Sequence, residues 1–241
     1  MQAAVSFPGV GRSLDPSAIC MHARLGQTRR RLIDALSRLE HDDYDAERIA
    51  ILRQDLNDNS DECRFLDNAV IAHAAAELIR PSRALEIGVR RGFCAAALVA
   101  GAPRVEMHVM DAWPQIYAAR PNPGSTLVRR QLQAVGHIGN AIYHHGNSHV
   151  MLPKLRSANR RLSYDLILVD GDHTERGAEQ DLSDAFGLVG RGGVLIFDDL
   201  VHPQHRYLLK LWNAWRDKLE SQFSFAEHVD CGLGVGWAVR D

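Results

Sequence analysis

The sequence predicts an α/β protein, a mostly parallel sheet covered by helices on both faces and preceded by a helical region. Three observations predict it. Five short apolar runs between residues 83 and 199 alternate with helical patterns, as parallel strands joined by crossover helices do. Two more strand-like runs, "SFAEHV" and "GLGVGWAVR", follow one another near the C-terminus with a short connection, which makes them antiparallel. Residues from about Ala18 to Ile79 carry helical periodicity and no strong strand signal.

Taken in order, residues 1–17 are expected to be a flexible arm, since "MQAAVSFPGVGRSLDPS" is rich in Gly, Pro and Ser. Residues 18–80 form a helical extension. Within it "QTRRRLIDALSRLE" lines up Leu32, Ala35, Leu36 and Leu39, and "DECRFLDNAVIAHAAAELI" lines up Phe65, Leu66, Ala69 and Val70 beside His73. These faces offer acceptor cover and dimer contacts, so a homodimer is expected, although the sheet of the same chain can also bury them. Residues 81–241 form the sheet domain. Its strands are "RALEIGV", "VEMHVMD", "AIYHHG", "DLILVD", "GGVLIFDD" and the final pair. The helices between them begin at "FCAAALVAG", "STLVRRQLQAVG", "SHVMLPKL", "ERGAEQDLSDAFGLV" and "YLLKLWNAWRDKL". Trp212 and Trp215, three apart, read as packing residues of the last helix.

The chain has 241 residues, 46% of them hydrophobic, and a net charge of -2. That charge gives no support for a nucleic-acid partner. The arginine runs 29–31, 90–91, 129–130 and 160–161 read as solvated faces. Cys20, Cys63, Cys94 and Cys231 form no CxxC pair, which points away from zinc and disulfides and toward a cytoplasmic protein. No apolar run is long enough for a membrane span.

In parallel sheets of this kind ligands bind beyond the carboxyl ends of the strands. The first strand ends in "EIGVRRG", Glu86 to Gly92. Gly88 permits a tight turn and close approach of a ligand. The spacing of a pyrophosphate-binding GxGxxG is lacking, so a nucleoside without a diphosphate fits better. Asp111 ends the second strand, 25 residues after Glu86, where an acidic residue grips a ribose diol; its alternative is a turn or cap aspartate. After the third strand comes "GNS". Asn147 can bind an adenine edge or cap the next helix.

The ordered set "LEIGVRRG", "MDAW", "GNS", "DLILVDGDH" and "GRGGVLIFDD" resembles class I S-adenosylmethionine-dependent methyltransferases. More narrowly it resembles the metal-dependent O-methyltransferases, of the macrocin and rhamnosyl type and, more distantly, the catechol type. The resemblance implies a Rossmann-like seven-stranded sheet with the last strand antiparallel. It implies S-adenosylmethionine as cofactor, with Glu86, Gly88 and Gly92 around its methionine part, Asp111 on the ribose, Asn147 and Ser148 near the adenine, and Asp170 at its edge.

The fourth strand ends in Asp170-Gly171-Asp172-His173 and the fifth in Asp198-Asp199. If these strands are neighbours, three carboxylates converge, and they repel unless a cation sits between them. An oxygen-rich set favours Mg²⁺ or Mn²⁺ over zinc, and the resemblance implies a metal held by Asp170, Asp198 and Asp199. Methyl transfer to a hydroxyl also needs a base. Asp172 is the leading candidate, as the second aspartate is in the sugar-type enzymes, and His173 is the rival. Catechol-type enzymes use a lysine here and this sequence has none, which favours a saccharide or glycosylated metabolite as acceptor. A catechol or phenol acceptor is the alternative, and a non-catalytic nucleoside-binding module the alternative of another class. Trp113, Pro114, Tyr117, His144-His145, His202 and His205 are candidates for pocket walls or surface.

Overall fold

A computed structural model describes residues 14–117 and 120–241. Four helices come first: α1 (Pro16–Arg24), α2 (Gly26–Leu36), α3 (Asp43–Asp58) and α4 (Asn68–Ile79). The sheet region follows with β1 (Arg83–Ile87), α5 (Phe93–Gly101), β2 (Glu106–Asp111), the short strands β3 (Ile116–Tyr117) and β4 (Arg120–Pro121), α6 (Gly124–Ala134), β5 (Ala141–His145) and α7 (Ser148–Ala158). Next come β6 (Tyr164–Val169), α8 (Glu175–Phe186), β7 (Val189–Asp198), α9 (Tyr207–Leu219), β8 (Phe223–His228) and β9 (Val235–Arg240). The seven main strands run in the order β5-β2-β1-β6-β7-β9-β8. All neighbours are parallel except that β9 runs against both β7 and β8. This is the expected Rossmann-like sheet with its last strand antiparallel. The β3–β4 hairpin is additional; two-residue strands leave no period to read in a sequence.

Burial explains the strand texture. Leu85, Ile87, Ile167, Val169, Leu195 and Phe197 face one layer of the core, packed with α8 and the α9 residues Leu208 and Trp212. The alternate residues Leu166, Leu168, Val194 and Ile196 face the other layer, with α4 and α5. Period two along a strand thus feeds both layers. Trp212 and Trp215 are buried packing residues, as expected.

The helical extension is part of this second layer. Its residues Ile19, Leu32, Leu36, Leu52 and Val70 share one continuous core with the sheet. The amphipathic faces therefore find a partner surface within the chain, the alternative to dimer contacts that the sequence left open. Residues 1–13 of the expected arm lie outside the described residues, and the expected arm ends too late: Asp15 caps α1 by accepting from the Ser17 amide at 2.9 Å. Phe65 and Leu66 precede α4, because Asp67 is its N-cap and accepts from the Val70 amide at 2.9 Å.

The arginine runs 29–31 and 90–91 are not simply solvated. Arg29 is fully buried, 2.8 Å from Asp55, and donates to the Phe65 carbonyl at 2.6 Å. Asp55 also accepts from the Arg64 and Phe65 amides. A buried charge must be paired and hydrogen-bonded to be tolerated, and here the pair ties α2 to α3 and to the chain leading into α4. Arg90 and Arg91 pair with Asp42 and Asp45, joining the first strand end to the start of α3. His73 is buried, its ring nitrogen 3.0 Å from the Ala97 carbonyl. No helix among the described residues is long and apolar enough to cross a membrane.

Glu77 of α4 clamps the first two helices. Arg31 donates to both its oxygens at 2.6 and 2.7 Å, and His22 lies 2.7 Å away. Burial alone would raise the Glu77 carboxyl, but the hydrogen bonds from His22 and Arg31 hold it down at about 2. A carboxyl depressed from about 4.3 in the unfolded chain stabilises the fold above that pH, and the stabilisation fades as pH falls toward 2. Glu77→Gln is expected to cost about 2 kcal/mol at pH 7. The difference from the wild type should shrink between pH 4 and 2 in urea unfolding, and a difference independent of pH would contradict this account.

Candidate active site

Strand register builds the site. Ile87 of β1 lies beside Val169 of β6, and Val169 lies beside Phe197 of β7. The next residues, Gly88, Asp170 and Asp198, therefore emerge abreast at one edge of the sheet. Gly88 has φ +81°, and a Cβ on it would sit 1.8 Å from the Asp170 carbonyl oxygen. Only glycine satisfies both constraints. Gly92, with φ +84°, is the N-cap of α5.

Two clefts open at this edge and share Gly88, Arg90, Tyr117 and Asp170 as a common wall. The first, of about 300 Å³, is lined by Asp111, Gly146, Asn147, Ser148, Gly171 and Asp172 as well. Asp111 accepts from the Val89 and Arg90 amides, both at 2.8 Å, and from the Trp113 amide. It is thus a turn aspartate, and it also faces the cleft. Asn147 caps α7 through the His149 amide at 2.8 Å and still borders the cleft. Each structural role foreseen for these two residues coexists with a place in the pocket.

The second cleft, of about 620 Å³, holds Glu86, His173, Asp198, Asp199 and His202, and Tyr44 and Arg48 of α3. Glu86 is buried, with one carboxylate oxygen lacking a hydrogen-bond partner. Burial, then the nearby Asp170 and Asp111, push its carboxyl well above the ordinary range. Burial and the neighbouring Asp170 and Asp199 do the same to Asp198. Asp199, at φ +63°, is raised to about 6 by burial and by Asp170. A non-glycine residue in this backbone region carries strain, which is commonest at functional sites.

The two base candidates separate. His173 reaches into the second cleft, 3.3 Å from Asp170 and 3.4 Å from Asp199. Its hydrogen bond with Asp170 raises the imidazole above its ordinary value, against the effect of burial. Asp172 accepts from the Thr174 amide at 2.9 Å, and its carboxyl lies against Gly177 of α8. Asp172, the leading candidate from the sequence, lines the first cleft and His173 the second. His144 is also elsewhere, 3.0 Å from His108 within the sheet. His202 lines the second cleft and His205 stacks between His202 and His173.

The donor set of Asp170, Asp198 and Asp199 suits a hard divalent cation chemically. As the side chains stand, no group of three or more His, Cys, Asp or Glu residues among the described residues is arranged to hold a metal. The amide of Asn68 instead reaches Asp198 and lies 3.4 Å from Asp170. Asn68, Arg48 and Tyr44 were not foreseen. The only signal was a polar Asp-Asn step before an apolar helix, and helix capping explains that equally well.

A parallel sheet in this strand order, with a glycine turn after its first strand and an acidic end to its second, is a Rossmann-like fold. Residues 85–200 match the family model described as a methyltransferase domain. That match agrees with the resemblance to class I, S-adenosylmethionine-dependent methyltransferases carried by the sequence. No curated protein matches the chain in sequence. Among solved structures it is similar to the O-methyltransferase TomG from Streptomyces achromogenes, involved in tomaymycin synthesis, at 17% identity and TM-score 0.57, over 84% of this chain and 91% of that one. It is similar to an O-methyltransferase from Bacillus cereus at 14% identity and TM-score 0.57, over 80% and 89%. It is also similar to the calicheamicin methyltransferase CalS11 at 17% identity and TM-score 0.53, over 98% and 99%. At these identities the structures share the fold.

Gly88→Ala should be poorly tolerated. Forcing the Asp170 carbonyl aside at a left-handed backbone position is expected to cost about 1–3 kcal/mol. Thermal unfolding measures that cost, and titration with S-adenosylhomocysteine should show weakened binding because the shared wall moves. Wild-type values in both measurements would contradict the assignment of this wall.

Proposed function

We propose that the chain is an O-methyltransferase that moves a methyl group from S-adenosylmethionine to a hydroxyl of a saccharide or glycosylated metabolite, with Mg²⁺ or Mn²⁺ held by Asp170, Asp198 and Asp199. One observation carries this reading: the three carboxylates meet at the ends of two neighbouring strands, in a cleft that shares a wall with the nucleoside cleft. The unpartnered oxygen of Glu86 supports a cationic ligand group beside β1, such as the ammonium of the methionine part. Asp111 supports the ribose, and Asn147 and Ser148 the adenine end.

A divalent cation in the second cleft would supply Lewis acidity that makes an acceptor hydroxyl easier to deprotonate. The chain's own residues do the rest. The shared wall of Gly88, Tyr117 and Asp170 brings donor and acceptor to adjoining spaces, and alignment of this kind is a large part of the rate gain in group transfer. His173, at the floor of the acceptor cleft, accepts the hydroxyl proton, with Asp170 and Asp199 orienting its ring. Tyr44 and Arg48 of α3 make residues 18–80 the cover of that cleft. The saccharide acceptor is supported by the resemblance to the sugar-type enzymes, which extends to the lack of the lysine that the catechol type has in the neighbourhood of Asp170.

Two outcomes test the reading. His173→Ala is expected to lower turnover about 100-fold or more with little change in cofactor affinity, whereas Asp172→Asn, which keeps the oxygen that accepts from the Thr174 amide, should change turnover and stability little. The reverse pattern would restore Asp172 as the base. Transfer from labelled S-adenosylmethionine into a panel of sugars and phenols should require Mg²⁺ and favour sugars. Full activity in excess chelator, or transfer to phenols alone, contradicts the metal or the acceptor respectively.

A further inference from the structure

We infer that Asn68, held in place by Arg48, is a positioning residue that the helical extension contributes to the metal site. The inference rests on the reading of Asp170, Asp198 and Asp199 as metal ligands. Asn68 is 1% exposed and opens α4. Its side-chain oxygen accepts from Arg48 at 2.6 Å and from the Cys94 thiol at 3.2 Å. Its side-chain nitrogen donates to Asp198 and lies 3.4 Å from Asp170. This orientation is fixed by chemistry. A guanidinium has no acceptor and a carboxylate no donor, so reversing the amide would set donor against donor and acceptor against acceptor.

Arg48 is itself immobilised. It donates to Asp67 at 2.8 Å, and its guanidinium lies over the Phe93 ring, 4.4 Å from the centroid. The chain of contacts thus runs from α3 through the first residue of α4 to the ends of β6 and β7. Asn68 engages one oxygen of Asp198. Its own oxygen is occupied by Arg48 and Cys94, so it serves as a donor to the ligating carboxylates and is not itself a ligand. Partners of this kind orient ligating carboxylates, and their loss lowers metal affinity about 10–100-fold.

The test measures metal without turnover. Mn²⁺ binding to the full chain is followed by the electron paramagnetic resonance of the free ion, alongside S-adenosylhomocysteine titration and thermal unfolding. Asn68→Leu removes the amide at similar volume and unchanged charge. It should weaken Mn²⁺ binding about 10–100-fold while the nucleoside affinity stays within twofold. Arg48→Lys keeps the charge but loses the fork, and should weaken Mn²⁺ in the same direction by a smaller factor. Asp170→Asn serves as the reference and should abolish tight Mn²⁺ binding. If it does and Asn68→Leu binds Mn²⁺ like the wild type, the inference is overturned. A parallel fall in Mn²⁺ affinity, nucleoside affinity and melting temperature shows a structural role only and also overturns it. Should Asn68→Leu fail to fold, wild-type Mn²⁺ binding by Arg48→Lys does the same. Wild-type binding by Asp170→Asn overturns the metal reading itself.

Discussion

Everything at the active edge depends on two parallel pairings, β1 with β6 and β6 with β7. They set Ile87, Val169 and Phe197 level, so the residues that follow leave the sheet side by side. The apolar runs behind them are buried on both faces and cannot slide without exposing a core layer. The charged ends are therefore held by packing far from themselves. Carboxylates that would separate in solution are kept together, and the protein must manage their repulsion locally.

The helical region does part of that work. Its four helices share a core with the sheet, and its polar residues point where the sheet has excess negative charge. Arg90 and Arg91 lean back on Asp42 and Asp45, so the turn after β1 and the start of α3 brace each other. Residues before the methyltransferase domain thus form one wall of the second cleft, and the sheet alone would leave it open.

Much of this was legible in the sequence. The seven strands, their charged endings and the final antiparallel pair follow from period and spacing, which depend on local chemistry. Gly88, Asp111 and Asp170 stand out because each closes or follows an apolar run, and Glu86 because it is a charge inside one. What could not be read depends on side-chain direction. "DGDH" offers two neighbouring bases, and only the cap at Thr174 and the contact with Gly177 show which way Asp172 turns. Arg29 read as a surface charge and Arg48 was not foreseen, because such a cation is recognised by its partners, Asp55 for one and Asp67 with Asn68 for the other. Those partners lie on other helices, at separations no local pattern encodes.

The wall common to both clefts has one more consequence. Gly88, Arg90, Tyr117 and Asp170 touch both spaces, so a ligand that settles them on one side alters the surface met by a ligand on the other. Linkage then makes the effect mutual: whatever factor the nucleoside lends to acceptor affinity, the acceptor returns to the nucleoside. The two sites share free energy as well as atoms.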